Sequence, residues 1–206
     1  MTLPSLTSAI ALSVTLFAPA PDLQTGAVAT ENIFKALGLQ AGQTVCEMGA
    51  GDGELSIAAA RVVGAHGRVL TSELGDDRVR ALRQRVTASA LPQITVVEGA
   101  AAATNFPDAA CDALFMRNVY HHFADPAAMN GSIAAALKPG ARLAIVDFAP
   151  PPGSAAPTPA DRGRDGMHGI TADTLAQEVA AAGFEPVASE TGAQRWFMIV
   201  VAKRRQ

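Results

Sequence analysis

The feature that most constrains the fold is a regular alternation of apolar runs with helix-like segments from residue 27 onward. Five runs rich in Val, Ile and Leu read as strands. Because they are apolar on both faces, they indicate a parallel sheet covered by helices. After the last helix, two strands follow in succession, "FEPVASE" and "RWFMIVVAKR", which indicates a hairpin. The chain is therefore predicted to form an α/β, doubly wound, mostly parallel seven-stranded sheet with a C-terminal antiparallel hairpin.

Two segments interrupt or delimit this pattern. Residues 126–140, "PAAMNGSIAAALKPG", read as a helix running from a first-turn Pro to a Pro-Gly stop, with the strand "ARLAIVDF" after it. Residues 150–169 are rich in Pro and Gly. A connection of that length in a compact domain is either functional or disordered.

The N-terminal segment, residues 1–22, stands apart from the alternation. Residues 3–20 carry no charge, and "APA" matches the small-residue cleavage site of a secretory signal, although no Lys or Arg precedes the run. Prolines break the run, so no stable membrane span is expected. We divide the chain into this segment, as a signal, an anchor or a packed arm, and one domain, 23–206. The expected location is the cytoplasm, or the periplasm or exterior if residues 1–20 act as a signal.

Charge and cysteine content exclude some functions. The formal net charge is −3 and the basic residues are scattered, so the chain offers no electrostatic basis for binding nucleic acid. Cys46 and Cys111 each lie in a predicted buried strand, where a free thiol behaves as a small apolar residue. We therefore expect two free thiols.

The stretch "VCEMGAGDGELS" joins the first strand to a helix through Gly49, Gly51 and Gly53. Its G-x-G-x-G spacing differs from the G-x-G-x-x-G of dinucleotide-binding sites, and no Lys-Ser or Lys-Thr follows as in a phosphate-binding loop. Asp52, between two of the glycines, would oppose a diphosphate. The pattern indicates a ligand with a positive group and no phosphate.

Two carboxylates flank this loop, because Glu47 ends the first strand and Glu73 ends the second. An acidic residue about twenty positions beyond such a loop typically binds ribose hydroxyls. A cationic, ribose-bearing, phosphate-free ligand indicates S-adenosylmethionine.

Later landmarks follow in order: "VVEG" at strand three, "CDALFMRNVYHHF" at strand four and "LKPGARLAIVDF" at strand five. With these, residues 26–206 resemble the class I S-adenosylmethionine-dependent methyltransferases, and in particular a small bacterial subgroup with a "YHHF" segment after strand four. The resemblance implies a Rossmann-like fold and methyl transfer from S-adenosylmethionine. It also implies these cofactor-binding residues: Glu47, Gly49, Ala50, Gly51, Gly53, Glu73, Leu74, Ala100, Ala101 and Asn118.

The implied roles differ along the chain. Glu47 and the loop backbone would hold the methionine part, Glu73 the ribose diol, and Leu74 one adenine face. Ala100 and Ala101 would line the adenine edge, while Asn118 would close the site. Many members carry an acid just after the glycine of strand three, whereas this chain has "GAAAATNF". Backbone groups or Asn105 would then hold adenine, or cofactor affinity would be lower.

Methyl transfer is a direct displacement, so positioning supplies much of the acceleration, and an acceptor that holds a proton also needs a base. Our catalytic candidates are Tyr120, His121 and His122 after strand four and His168 from the long loop. Arg117, Asp147 and Phe148 share the same edge of the predicted sheet. In the alternative interpretation, "YHHF" packs on the next helix and His168 makes a loop bond or helix cap. Adjacent histidines diverge, so no metal site is expected.

The predicted function is methyl transfer to a small, partly apolar acceptor, by in-line displacement with a His general base. Tyr120, Phe123 and Phe148 at the mouth favour such an acceptor over a nucleic acid. The alternative is a non-catalytic protein that binds S-adenosylmethionine or S-adenosylhomocysteine. A third hypothesis is that the chain is a dinucleotide-dependent oxidoreductase, and the glycine spacing counts against it.

Overall fold

The computed structural model describes residues 28–154, 158–162 and 169–205. The predicted N-terminal segment 1–22 and His168 lie outside these ranges. The elements, in chain order, are α1 (Thr30–Leu37), β1 (Thr44–Met48), α2 (Glu54–Val63), β2 (Arg68–Glu73), α3 (Asp76–Ala88), β3 (Ile94–Glu98), β4 (Cys111–Arg117), a 3₁₀ turn (Tyr120–His122), α4 (Pro126–Ala136), β5 (Leu137–Phe148), α5 (Ala172–Ala181), β6 (Phe184–Thr191) and β7 (Trp196–Lys203).

Within the described residues, seven strands form one sheet in the order β3-β2-β1-β4-β5-β7-β6. Strands β1 to β5 pair in parallel, and β7 runs antiparallel to both of its neighbours. The predicted fold class is thereby confirmed. The strand order reverses between β1 and β4, which in open α/β sheets opens a crevice beyond the carboxyl ends of those strands.

The sheet is buried on both faces. Ile145 and Val146, successive residues of β5, are fully buried in separate hydrophobic clusters. The first cluster includes Met129 of α4 and Leu175 of α5, and the second includes Ile33 of α1. Each such side chain contributes about 1.5–3 kcal/mol on burial. This two-sided core holds the strand ends rigidly at the crevice. No helix among the described residues is long and apolar enough to cross a membrane.

The junction between α4 and β5 differs from its prediction. Helix α4 ends at Ala136 and the strand begins at once, with Leu137 in extended conformation and paired with Cys111. The reason is local, because Pro139 cannot donate a helical hydrogen bond and disfavours helical conformation in the residue before it. The predicted Pro-Gly stop therefore lies within the strand.

The prediction of two free thiols is wrong. Cys46 of β1 and Cys111 of β4 form a disulfide, with their Cα atoms 5.8 Å apart. That separation lies within the range a disulfide bridges, and neighbouring strands can bring it about across 65 residues of sequence. The cross-link joins the two strands between which the crevice opens.

Candidate functional site

The glycine loop after β1 has a backbone that side chains would disturb. Gly49, Gly51 and Gly53 all have left-handed φ angles, of 64°, 55° and 80°. A Cβ on Gly49 would overlap the Val119 side chain, whereas a Cβ on Gly51 would meet nothing within 4 Å. Gly49 is therefore required for packing, and Gly51 leaves the backbone open to a ligand. Gly53 acts behind the loop, at the start of α2.

A cleft of about 680 Å³ runs along the carboxyl edge of the sheet beside this loop. Every predicted cofactor-binding residue except Gly53 lines it. Those residues are Glu47, Gly49, Ala50, Gly51, Glu73, Leu74, Ala100, Ala101 and Asn118. Beyond Asn118 the cleft continues to the start of β7. We call this part the β4–β7 half; it is lined by Arg117, Val119, His122, Phe123, Met129 and Trp196.

Glu47 is a buried carboxyl group at the end of β1, only 2% exposed. The Ser56 hydroxyl donates a hydrogen bond to it. Burial raises the pKa of Glu47 to about 8, although the Ser56 bond and the nearby Arg117 charge oppose that shift. Near neutral pH the group is therefore mostly protonated, and a cation brought beside it would favour the ionised form.

Glu73 holds the opposite side of the loop. Its Oε2 accepts a hydrogen bond from the Gly51 N–H at 2.8 Å, and its Oε1 accepts from the Leu74 N–H at 2.8 Å. The Arg78 Nε lies 3.6 Å from Oε1. These donors fix the carboxylate in the cleft wall, and each oxygen retains a lone pair for a further donor such as a ribose hydroxyl.

The segment after β3 presents small groups to the cleft. Ala100 and Ala101 line it together with Thr104, which was not predicted. Asn105 directs its side-chain amide to the Glu98 carbonyl at 2.9 Å and is absent from the lining. The amide of Asn105 is therefore committed to the backbone, and the Thr104 hydroxyl is itself 3.2 Å from Ser132 Oγ and accepts from the Phe106 N–H at 3.2 Å.

The end of β4 forms the middle of the cleft wall. Asn118 has a left-handed φ of 61°, and its N–H donates to the Val146 carbonyl at 2.9 Å. This bend directs Arg117 into the cleft with 17% of its side chain exposed. The Arg117 guanidinium lies 3.8 Å from the carboxylate of Glu54, which is itself largely exposed. Such a loose pairing leaves the cation open to a ligand.

Two of the predicted catalytic side chains lie in the interior and not on the cleft wall. Tyr120 is fully buried, and its hydroxyl accepts a hydrogen bond from Asn130 of α4 at 2.8 Å. Burial raises the pKa of the Tyr120 hydroxyl well above its usual value. His121 is fully buried too, with Nδ1 2.9 Å from Asp147 Oδ1, and its backbone N–H donates to Asp147 Oδ2 at 3.1 Å. Both side chains hold the segment after β4 in place.

Of the two predicted histidines that the structure describes, His122 lines the cleft. Its ring packs on the His121 ring at 4.0 Å between centroids. Burial lowers the pKa of His122, and the neighbouring His121 lowers it further. A neutral imidazole at the cleft wall can accept a proton at neutral pH.

Trp196 in the cleft was not predicted from the sequence, where "RWFMIVVAKR" reads only as a strand. A signal was present, because the first residue of an antiparallel strand lies at the same edge as the last residue of its neighbour. Trp196 is paired with Phe148 in this way. Among the described residues, no cluster of three or more His, Cys, Asp or Glu side chains could hold a metal ion.

The chain matches both a known family and curated proteins. A family model described as a methyltransferase domain matches residues 24–189. The ubiquinone/menaquinone biosynthesis C-methyltransferase UbiE of Enterobacter sp. strain 638 is 29% identical over 115 residues, which is 55% of this chain and 46% of that protein. The chain thus spans about half the length of the curated relatives it matches.

Solved structures share the fold. A SAM-dependent methyltransferase from Aquifex aeolicus has a TM-score of 0.72 at 21% identity, over 84% of this chain and 88% of that one. The [4+2]-cyclase SpnF has a TM-score of 0.75 at 16% identity, over 86% and 81% of the two chains. At such identities the likeness concerns the fold alone.

Proposed function

Because this chain belongs to the methyltransferase-domain family, we propose that it transfers the methyl group of S-adenosylmethionine to a small, partly apolar acceptor. The observation that carries the proposal is the placement of Glu47 and Glu73 at adjacent strand ends, on either side of the glycine loop and in one cleft. When bound there, S-adenosylmethionine would supply an electrophilic methyl group on a positively charged sulfur.

The residues present fit that cofactor. Gly51 leaves open space beside its backbone, so a ligand can approach the loop closely. The Glu47 carboxyl group accepts a hydrogen bond from the Ser56 hydroxyl, and its ionised form would pair with the cationic methionine end. Glu73, held by two backbone donors, would accept from the ribose hydroxyls.

The β4–β7 half would hold the acceptor. Val119, Phe123 and Met129 give it apolar walls, and His122 supplies a proton acceptor. In the proposed step the acceptor atom attacks the methyl carbon in line with the sulfur, the carbon–sulfur bond breaks, and its electron pair stays on sulfur. The acceptor proton passes to His122, whose lowered pKa keeps it neutral beforehand.

The test is calorimetric titration with S-adenosylmethionine and S-adenosylhomocysteine, followed by transfer of labelled methyl groups to separate pools of small metabolites, protein and RNA. Label in the metabolite pool alone supports the proposal. Failure to bind either nucleoside overturns it, and label in RNA or protein alone overturns the acceptor class. Glu98→Gln is the matched control for replacing Glu47 or Glu73 by Gln, since Glu98 also ends a strand, β3, but has an exposed side chain.

The second candidate function is a non-catalytic S-adenosylmethionine or S-adenosylhomocysteine binder. It is favoured by the small side chains Ala100, Ala101 and Ala103 in the cleft, where many class I methyltransferases carry an acid. Tight binding without transfer to any pool would select this function over the first.

A further inference from the structure

Trp196 lines the β4–β7 half of the cleft, and the pairing of β7 with β5 determines its position. Strand β7 runs antiparallel to β5, so its first residue, Trp196, lies beside the last residue of β5, Phe148. The indole and the Phe148 ring pack edge to face, with centroids 5.3 Å apart. Trp196 therefore stands at the carboxyl edge of the sheet, at the end of the cleft opposite Glu73 in the strand order.

A continuous row of rings links Trp196 to His122. His122 packs on His121 at 4.0 Å, His121 on Phe148 at 5.0 Å, and Phe148 on Trp196 at 5.3 Å. Of these four, the two end members, His122 and Trp196, line the cleft, and the two middle rings lie behind them. Asp147 anchors the row through the His121 Nδ1. The two cleft-lining rings are thus held in fixed relation to one another.

The backbone before Trp196 is also unusual. Gln194 and Arg195 both have positive φ angles, of 50° and 72°, which residues with a Cβ seldom adopt. The Ala149 N–H donates to the Arg195 carbonyl at 2.9 Å, and the Arg195 guanidinium donates to the Ala149 carbonyl at 2.5 Å. These two hydrogen bonds hold the turn against the end of β5. Residues held in unfavourable backbone conformations are common at ligand-binding sites.

Building on the proposed function, we infer that Trp196 determines acceptor specificity, and that the acceptor presents a flat, hydroxylated aromatic ring to its indole face. The stacked or edge-to-face contact that aromatic side chains prefer requires a second π-system, which a saturated ring lacks. A hydroxyl on that ring supplies the proton for His122. Its developing negative charge is matched by Arg117, the loosely paired cation of the same half.

The experiment compares two probes with one carbon skeleton, 2-naphthol and decahydro-2-naphthol, added to the full chain saturated with S-adenosylhomocysteine. The chain has a single tryptophan, so its ¹⁵N-correlated NMR spectrum holds one indole N–H signal, that of Trp196. We expect 2-naphthol to shift this signal saturably and the saturated probe to leave it in place. Equilibrium dialysis then measures affinity. Trp196→Leu should raise the Kd of 2-naphthol about tenfold and Trp196→Phe less, as loss or retention of ring packing predicts.

Each variant should bind S-adenosylhomocysteine within twofold of the unmodified chain, which shows that it is folded. Equal Kd values for the two probes, an unmoved indole signal, or unchanged 2-naphthol binding in Trp196→Leu overturns the inference while the proposed function stands. Absence of S-adenosylhomocysteine binding in the unmodified chain overturns the proposed function itself.

Discussion

Glu73 accepts a hydrogen bond from the Gly51 N–H at 2.8 Å, so the end of β2 is fastened to the glycine loop that follows β1. One carboxylate therefore both shapes the loop and faces the cleft. Cofactor binding and loop geometry are consequently coupled through a single side chain.

Replacing Glu73 by Ala should weaken S-adenosylhomocysteine binding about 10- to 100-fold, since a hydrogen bond to a charged group is worth about 1.5–3 kcal/mol. Glu73→Gln keeps one acceptor oxygen and should lose less. Calorimetry gives both values, and Glu98→Ala, at the end of the neighbouring strand β3, should bind normally. An unchanged dissociation constant in Glu73→Ala would remove this carboxylate from the site.

The raised pKa of Glu47 predicts that the free energy of unfolding depends on pH. Burial raises the pKa of this group to about 8 from 4.5, so the folded state holds a proton that the unfolded state has lost. The stability associated with that proton is complete below pH 4.5 and is lost as the pH rises through about 8. Urea unfolding should show the advantage of Glu47→Gln over the unmodified chain growing between about pH 5 and 8. A constant difference across that window would contradict the raised pKa.

Substitution of His121 and substitution of His122 should have different effects. His122→Ala should lower kcat about 10²- to 10⁴-fold, the usual contribution of a general base, and leave the S-adenosylhomocysteine Kd within about twofold. The decline of kcat at acid pH should also vanish, because burial lowers the pKa of His122 and protonation removes the base only below neutrality. Equal losses in kcat and cofactor affinity would argue for a structural role.

His121→Ala is the matched comparison. It leaves the buried carboxylate of Asp147 without its side-chain partner, so we expect a stability loss of about 1–3 kcal/mol in urea unfolding. The fraction of His121→Ala that remains folded should show the same dependence of kcat on pH as the unmodified chain. A profile altered as in His122→Ala would make His121 part of the proton path.

Gly49→Ala should abolish cofactor binding, because the left-handed φ and the overlap with Val119 both oppose a Cβ there. Gly131→Ala is the control. Gly131 lies inside α4 with open space around a Cβ, so the substitution should raise stability by about 0.5–1 kcal/mol. Normal binding by Gly49→Ala would show that the loop tolerates a shift of Val119.

The Cys46–Cys111 disulfide closes a sequence separation of 65 residues, for which chain entropy gives about 4 kcal/mol. The Cys46→Ala/Cys111→Ala variant should lose stability of that order in urea unfolding. Alkylation of the denatured, unreduced chain should modify neither cysteine. Two alkylated thiols would show that the strands pair without the cross-link.

Much of the fold was predictable because its signals are local. The apolar runs predicted the parallel strands, and the successive strands after α5 predicted the hairpin. The family prediction is likewise confirmed, since the loop and the strand-end motifs lie in a fixed order along the chain. The junction at Pro139 failed because a Pro-Gly pair marks the end of a helix without saying how far before it the helix ends.

The sequence by itself determined the strand and helix pattern, the glycine loop and the two strand-end carboxylates, because backbone preferences and hydrophobic periodicity act between near neighbours. Only the tertiary structure decided which of His121 and His122 faces the cleft, that Cys46 meets Cys111, and that Trp196 joins the site. These depend on which strands become neighbours and on the direction of each side chain at the sheet edge. Contacts between residues far apart in sequence exist only once the chain has packed.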